Sequence, residues 1–252
     1  MTRSPWFKTL KPDSRARLRL FCFPYAGGSS YVFRGWQRQL PPSAEVCAVE
    51  LPGRGLRMRE APLTQLRSLT REIGRAIRAH LDRPFAFFGH SMGALICFEL
   101  ARYLRAEEGV EPAQLFVSGC RAPQIDGPGR AIHTLPDGEL LDKLRRLNGT
   151  PREVLEHPEL MELMLPLLRA DFEVFDTYDY SGAPPLGCPV TAFGGLRDPE
   201  VGLEELEAWR QQTTGPFRVS MFDGDHFFIH EHEQPLLHEL AAELRALTGD
   251  KV

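Results

Sequence analysis

A chain of 252 residues with 42% hydrophobic and 25% charged content can bury a sizeable core and has the balance of an ordinary soluble globular protein, which excludes disorder. Its formal net charge of -4 argues against a nucleic-acid partner, because no basic excess exists to neutralise phosphates. The five cysteines, Cys22, Cys47, Cys97, Cys120 and Cys188, are odd in number, widely spaced and mostly set in apolar runs, unlike a disulfide framework or a metal knuckle.

Those cysteines read as small buried hydrophobes in a reducing compartment. Residues 1–19 alternate charge, proline and aromatics without the apolar core of a signal peptide, and no stretch has the length to span a bilayer. A soluble cytoplasmic protein is therefore expected.

After this polar leader, Leu18-Arg19-Leu20-Phe21-Cys22-Phe23 reads as the first strand. The Pro24-Tyr25-Ala26-Gly27-Gly28 that follows is rich enough in glycine to aim backbone N–H groups into a cavity, and a helix is expected over 31–40. Residues 45–50 form the next strand, leading into Leu51-Pro52-Gly53-Arg54-Gly55, where Arg54, Arg57 and Arg59 read as a solvated face. An amphipathic helix is expected over 66–81, with Leu66, Leu69, Ile73, Ile77 and Leu81 on one side.

The most informative stretch comes next. Phe85-Ala86-Phe87-Phe88 has the length and aromatic content of a buried strand, Gly89-His90-Ser91-Met92-Gly93 is a Gly-x-Ser-x-Gly, and Leu95, Phe98, Ala101 and Leu104 continue with helical spacing. Strand, sharp turn and helix is the context in which such a serine is held strained and exposed, so Ser91 is the candidate nucleophile. Taken alone, the pattern would equally fit a serine that caps a helix.

Leu115-Phe116-Val117-Ser118 supplies another strand, and alternation of strand and helix to this point predicts a parallel sheet with helices on both faces. About seventy residues then separate it from the next strand, Val190-Thr191-Ala192-Phe193, far more than one crossover needs. The chain thus divides into a core, 1–120 and 185–252, and an inserted helical lid, 121–184. Within the insertion, helices are expected over 136–147 and 157–175, the second kinked at Pro166 and apolar nearly all round, so that it covers something on more than one side. The core resumes with a helix over 203–212, the strand Phe217-Arg218-Val219-Ser220-Met221-Phe222 and a closing helix over 235–247.

A serine hydroxyl needs a base to take its proton and an acid to orient that base. Ser91, Asp198 and His226 occur in that order, each just past a strand, so their side chains converge on the carboxyl edge of the sheet. Asp171, Asp176 and Asp179 belong to the insertion, and Asp225 is too close along the chain to reach the far nitrogen of its neighbour, which leaves Asp198 as the acid. Acyl transfer also needs two N–H donors for the oxyanion; Met92, directly after the serine, and Ala26, in the loop after the first strand, are placed to provide them. His90 is expected to pack behind the turn. His226, His230 and His232 raise a metal-site alternative, but a zinc-protease helix carries glutamate directly after its first histidine, and here that residue is Phe227. No cofactor or metal is expected.

These residues resemble the α/β-hydrolase superfamily and, more closely, the stand-alone type II thioesterases of modular polyketide and nonribosomal peptide synthases. The resemblance runs through Phe23-Pro24-Tyr25-Ala26-Gly27-Gly28, Leu51-Pro52-Gly53-Arg54-Gly55, Gly89-His90-Ser91-Met92-Gly93, Leu168-Arg169-Ala170-Asp171, Gly194-Gly195-x-x-Asp198-Pro199 and His226-Phe227-Phe228, in the family's order. Asp225 departs from it, standing where glycine is more usual. The likeness implies an α/β-hydrolase fold with a mobile lid. It implies hydrolysis of acyl thioesters from the phosphopantetheine arm of acyl or peptidyl carrier proteins, in an editing role within antibiotic biosynthesis, with Ser91, Asp198 and His226 as triad and Ala26 and Met92 as oxyanion donors. A small-molecule carboxylesterase, a product-releasing thioesterase and an idle hydrolase fold that only binds carrier proteins are the alternatives. Neither nucleic acid nor membrane is expected as a partner.

Overall fold

Strands covered on both faces must carry near-continuous apolar runs, and the runs of this sequence form such strands. The computed structural model describes residues 4–10, 13, 15–126 and 131–250; residues 1–3, 11, 12 and 14 of the leader and 127–130 of the insertion lie outside them. In chain order the strands are β1 (Phe7–Thr9), β2 (Leu18–Phe23), β3 (Ala44–Val49), β4 (Phe85–His90), β5 (Gln114–Ser118), β6 (Val190–Gly195) and β7 (Phe217–Phe222). They form one sheet in the order β1-β3-β2-β4-β5-β6-β7, antiparallel only where β1 meets β3. This is the α/β-hydrolase architecture expected from the sequence.

The helices are α1 (Leu66–Ile77), α2 (Met92–Glu108), α3 (Asp137–Leu147), α4 (Arg152–Leu155), α5 (Pro158–Asp176), α6 (Leu203–Glu207), α7 (Phe228–Glu231) and α8 (Glu233–Thr248). Successive strand side chains point to opposite faces, and two separate cores result. Phe21, Phe23 and Phe87 pack with Leu69, Ile73, Leu95 and Phe98 of α1 and α2. Cys22, Phe88 and Phe116 pack on the other side with Trp36, Leu236 and Leu240. All five cysteines are buried and free. Among the described residues no helix is long and apolar enough to cross a membrane.

Several expectations change in the structure. The helix foreseen over 31–40 is two 3-10 turns, Ser30–Phe33 and Trp36–Arg38, separated around Gly35. The break places the buried rings of Phe33, which ends the first turn, and Trp36, which begins the second, edge to face at 4.9 Å. Strand β1 lies in what reads as leader; three residues are too few to show a period, and only pairing with β3 makes them a strand. Helix α5 runs through Pro166, yet its apolar surface is not covered all round, since Leu160 and Leu163 stay 42% and 77% exposed.

One close approach fixes where the site forms. A Cβ on Gly89 would lie 2.2 Å from the Gly93 carbonyl oxygen, and one on Gly93 would lie 2.3 Å from that of Phe23. The start of α2 therefore rests directly on the ends of β2 and β4, an approach open only to residues without a side chain. Gly93→Ala is expected to cost about 3 kcal/mol of stability because only backbone can move aside; urea unfolding against wild type measures it.

Candidate active site

The parallel strands place the loops after β2, β4, β5, β6 and β7 at one edge, and every candidate site residue lies there. Ser91 follows β4 directly, with φ 52° and ψ -120°, a conformation an L-residue avoids unless its surroundings impose it. They do so here: its N–H donates to the Ser118 carbonyl at the end of β5 (2.7 Å), and its own carbonyl accepts from Ala94 in the first turn of α2 (2.9 Å). Strand, turn and helix leave the side chain facing a cavity of about 560 Å³ that Tyr25, Ala26, Met164, Phe172 and His226 help to line. Ala26, Ser91 and His226 also border a smaller cavity of about 60 Å³.

The loops after β6 and β7 are tied together before they reach the site. Leu196 N–H donates to the Phe222 carbonyl (2.8 Å) and Arg197 N–H to that of Gly224 (2.9 Å). This brings Asp198 Oδ2 to 2.8 Å from His226 Nδ1, with the Asp198 side chain fully out of solvent. A carboxylate only accepts, so Nδ1 carries the proton, and in the neutral ring the lone pair is on Nε2. The other carboxylate oxygen, Oδ1, accepts from Glu200 N–H (2.8 Å).

His90 packs behind the turn as expected. It is fully buried, its Nδ1 pairs with Ser118 Oγ at 2.9 Å, and its ring lies 5.2 Å from that of His226. Burial first, then the facing imidazoles of His226 and His230, hold it well below the usual histidine range. His230 Nε2 pairs with the Tyr25 hydroxyl at 2.8 Å, and its ring stacks on Phe227. Asp225 accepts from Phe227 N–H through Oδ1 (2.8 Å) and from the Asn148 side-chain amide of the insertion through Oδ2 (3.0 Å). Among the described residues only Ser91 and Asn148 combine a side chain with positive φ, so an aspartate at 225 carries no backbone strain of that kind.

The arginine loop is not a solvated face. Arg54 and Arg57 are buried, at 5% and 6% exposure, and only Arg59 is exposed. Arg57 Nη1 donates to the Glu50 carbonyl (3.0 Å), and its guanidinium stacks on Trp6. Arg54 grips Asp171 of α5 with two N–H groups, at 2.6 and 2.7 Å. Asp171 is the main residue that sequence reasoning left without a role. Its only signal was that Leu168-Arg169-Ala170-Asp171 and the Arg54 loop both belong to the resemblance.

The insertion builds a small core of its own, in which Leu140, Leu144, Met161, Leu168 and Phe172 pack together against Ala26 and Phe227. Lys143 reaches Glu200 at 2.5 Å, so α3 rests on the loop that carries Asp198. Among the described residues no three His, Cys, Asp or Glu side chains gather as a metal site would require.

A family model described as "Thioesterase domain" matches residues 18–247. Over 246 residues the chain is 47% identical to "Linear gramicidin dehydrogenase LgrE" of Brevibacillus parabrevis, covering 96% of this chain and 94% of that one. Over 247 residues it is 46% identical to "Gramicidin S biosynthesis protein GrsT" of Aneurinibacillus migulanus, covering 98% and 96%. Among solved structures, that of the type II thioesterase BorB from the borrelidin biosynthetic cluster superposes with a TM-score of 0.88 at 38% identity, covering 97% of this chain and 100% of that one.

The buried His90 generates a stability prediction. The native state keeps its ring neutral, whereas the unfolded chain protonates it once pH falls below the ordinary value of 6.5. The unfolded state then binds the extra proton, so this contribution is fully present above that pH and declines below it by up to about 1.4 kcal/mol per pH unit. Urea unfolding at about pH 7.5 and about pH 5.5 is expected to show a smaller acid loss in His90→Gln than in wild type.

Proposed function

The chain belongs to the thioesterase domain family, and on that premise we propose that it hydrolyses acyl groups from the phosphopantetheine thiol of carrier proteins through an acyl-serine intermediate. In this reading Ser91 is the nucleophile, His226 the base and Asp198 the acid that orients it. The observation that carries the reading is the 2.8 Å Asp198–His226 hydrogen bond beside a cavity bordered by both His226 and the strained Ser91.

The chemistry follows from those positions. Ser91 Oγ attacks the thioester carbonyl while His226 Nε2 takes its proton. Negative charge gathers on the former carbonyl oxygen, where N–H groups of Met92 and Ala26 receive it. Met92 is the first residue of α2, so its N–H has no acceptor within the helix, and Ala26 borders both cavities. His226 returns its proton to the departing thiolate. A water molecule, deprotonated by the same nitrogen, then attacks the acyl-serine; the carboxylic acid leaves and Ser91 regains its proton.

The insertion, 121–184, serves as the lid in this scheme, its leucines and Phe172 giving the acyl group an apolar chamber closed off from water. The names of GrsT and BorB place those relatives in gramicidin S and borrelidin biosynthesis, which supports an editing role for this chain in polyketide or nonribosomal peptide assembly. Oxidation chemistry, which the name of LgrE suggests, is the weaker reading, because a serine, a histidine and a buried carboxylate around one cavity are the apparatus of acyl transfer. Five free, buried cysteines are in keeping with a cytoplasmic location.

Ser91→Ala is expected to abolish turnover of an acyl carrier protein substrate, and Asp198→Asn to lower kcat by about 10⁴-fold by permitting the wrong histidine tautomer. Wild type should release one short acyl group faster from a phosphopantetheinylated carrier than from a free pantetheine mimic; equal or faster release from the mimic would favour a small-molecule esterase. Met164, which lines the larger cavity from α5, should tune chain length. The profile of Met164→Ala across short and long acyl groups is expected to shift toward longer chains.

A further inference from the structure

The turn that carries Ala26 is bonded through its Gly27 N–H and its Gly28 carbonyl to one buried ion pair. Gly28 N–H donates to the Tyr25 carbonyl at 2.9 Å, and Gly27, third in the turn, has φ 77°, the positive value that a type II turn requires there. A trans peptide sets its C=O and N–H in opposite directions. Anchoring the Tyr25 carbonyl inside the turn therefore aims the Ala26 N–H away from it.

The next peptide is held from outside, since Gly27 N–H donates to Asp171 Oδ2 at 2.7 Å. Two peptides further on, the Gly28 carbonyl accepts from Arg54 Nη1 at 3.2 Å. Arg54 and Asp171 bind each other through two further contacts, with side chains only 5% and 3% exposed. Both peptides that flank the Ala26 Cα are thus fixed, one within the turn and one by the ion pair. Neither charged residue lines the cavities at Ser91, so neither is placed to touch substrate.

We infer that Asp171 and Arg54 are positioning residues that hold the Ala26 N–H where the oxyanion forms, an inference that rests on the reading of Ala26 as an oxyanion donor. Asp171 belongs to the insertion, so oxyanion stabilisation and the seating of α5 are one event. Leu168, one turn before Asp171, reinforces this: its Cδ2 fills the space 2.6 Å from where a Gly27 Cβ would stand. Withdrawing this half of α5 would release the Gly27 N–H.

The test replaces both charges together, Arg54→Met with Asp171→Leu, which keeps apolar volume and leaves no buried charge unpaired. Circular dichroism checks folding. With an acyl-pantetheine thioester, kcat is expected to fall about 10²-fold with KM little changed, as when an oxyanion donor is lost. Affinity for an acyl trifluoromethyl ketone, whose adduct with serine carries the oxyanion, should fall by the same factor, while a non-reactive thioether of the same chain binds as before. Wild-type kcat and ketone affinity in the folded double variant would overturn the inference, as would equal losses for ketone and thioether, the mark of a merely structural role. If the double variant does not fold, Asp171→Asn carries the test: it keeps an acceptor without the charge, the expected loss is about 10-fold in kcat with the same split, and unchanged kcat overturns the role. Ser91→Ala runs beside them. Turnover lost there but intact in the ion-pair variants overturns the positioning role alone, whereas turnover retained in Ser91→Ala overturns the thioesterase reading beneath it.

Discussion

Everything at the site depends on a backbone contact with no room for a side chain. The first turn of α2 rests on the ends of β2 and β4 through Gly89 and Gly93. With strand and helix pressed together, the linking residue must reverse the chain within one position, and Ser91 does so at φ 52°. Strain of this kind costs about 1–3 kcal/mol and persists only where the surroundings over-determine it. The sheet does that: the Ser91 N–H is held by β5, its carbonyl by α2, and burial of Phe87 and Phe88 on opposite faces keeps β4 from sliding. The packing of the core thereby becomes the orientation of one hydroxyl.

Charge is distributed on the same logic. Pairs such as Arg152–Glu156 or Arg75–Glu72 lie on exposed helix surface, where each contributes at most about 0.5 kcal/mol. Arg54–Asp171 is a different object. Desolvating two charges offsets most of their attraction, so the pair as a whole adds little net stability, but removal of one partner alone strands a buried charge at about 3–5 kcal/mol. What such a pair supplies is geometry: two forks of N–H groups and oxygens that accept only one arrangement of the loops around them. Here those loops are the glycine turn after β2 and the inserted helix.

The insertion is packed against the loops it covers. Its leucine core includes Ala26 and Phe227 at its border, residues of the loops after β2 and β7, while Asn148 and Lys143 reach Asp225 and Glu200 beside His226 and Asp198. Insertion and site are therefore not independent modules. The same apolar side chains that hold the insertion together wall the cavity that Ser91 borders, so a change in one is felt in the other.

The strands, the turn at Ser91 and the order of serine, aspartate and histidine were legible in the sequence alone, because each rests on neighbours: an apolar run, a glycine spacing, a loop directly after a strand. Strand β2 and strand β7 fall on the residues read for them. What escaped the sequence has its cause far along the chain. Arg54 looks like any surface arginine until a carboxylate 117 positions away removes it from water. Phe7–Thr9 becomes a strand only through β3, and the segment read as a helix over 31–40 is drawn into 3-10 turns by the rings it must tuck beneath the sheet. Asp225, one residue before the histidine, finds its partner Asn148 77 positions away. Local spacing determined which groups exist and at which edge they gather; only long-range packing decided which charges are buried, which N–H groups are held, and how the inserted helices close over the serine.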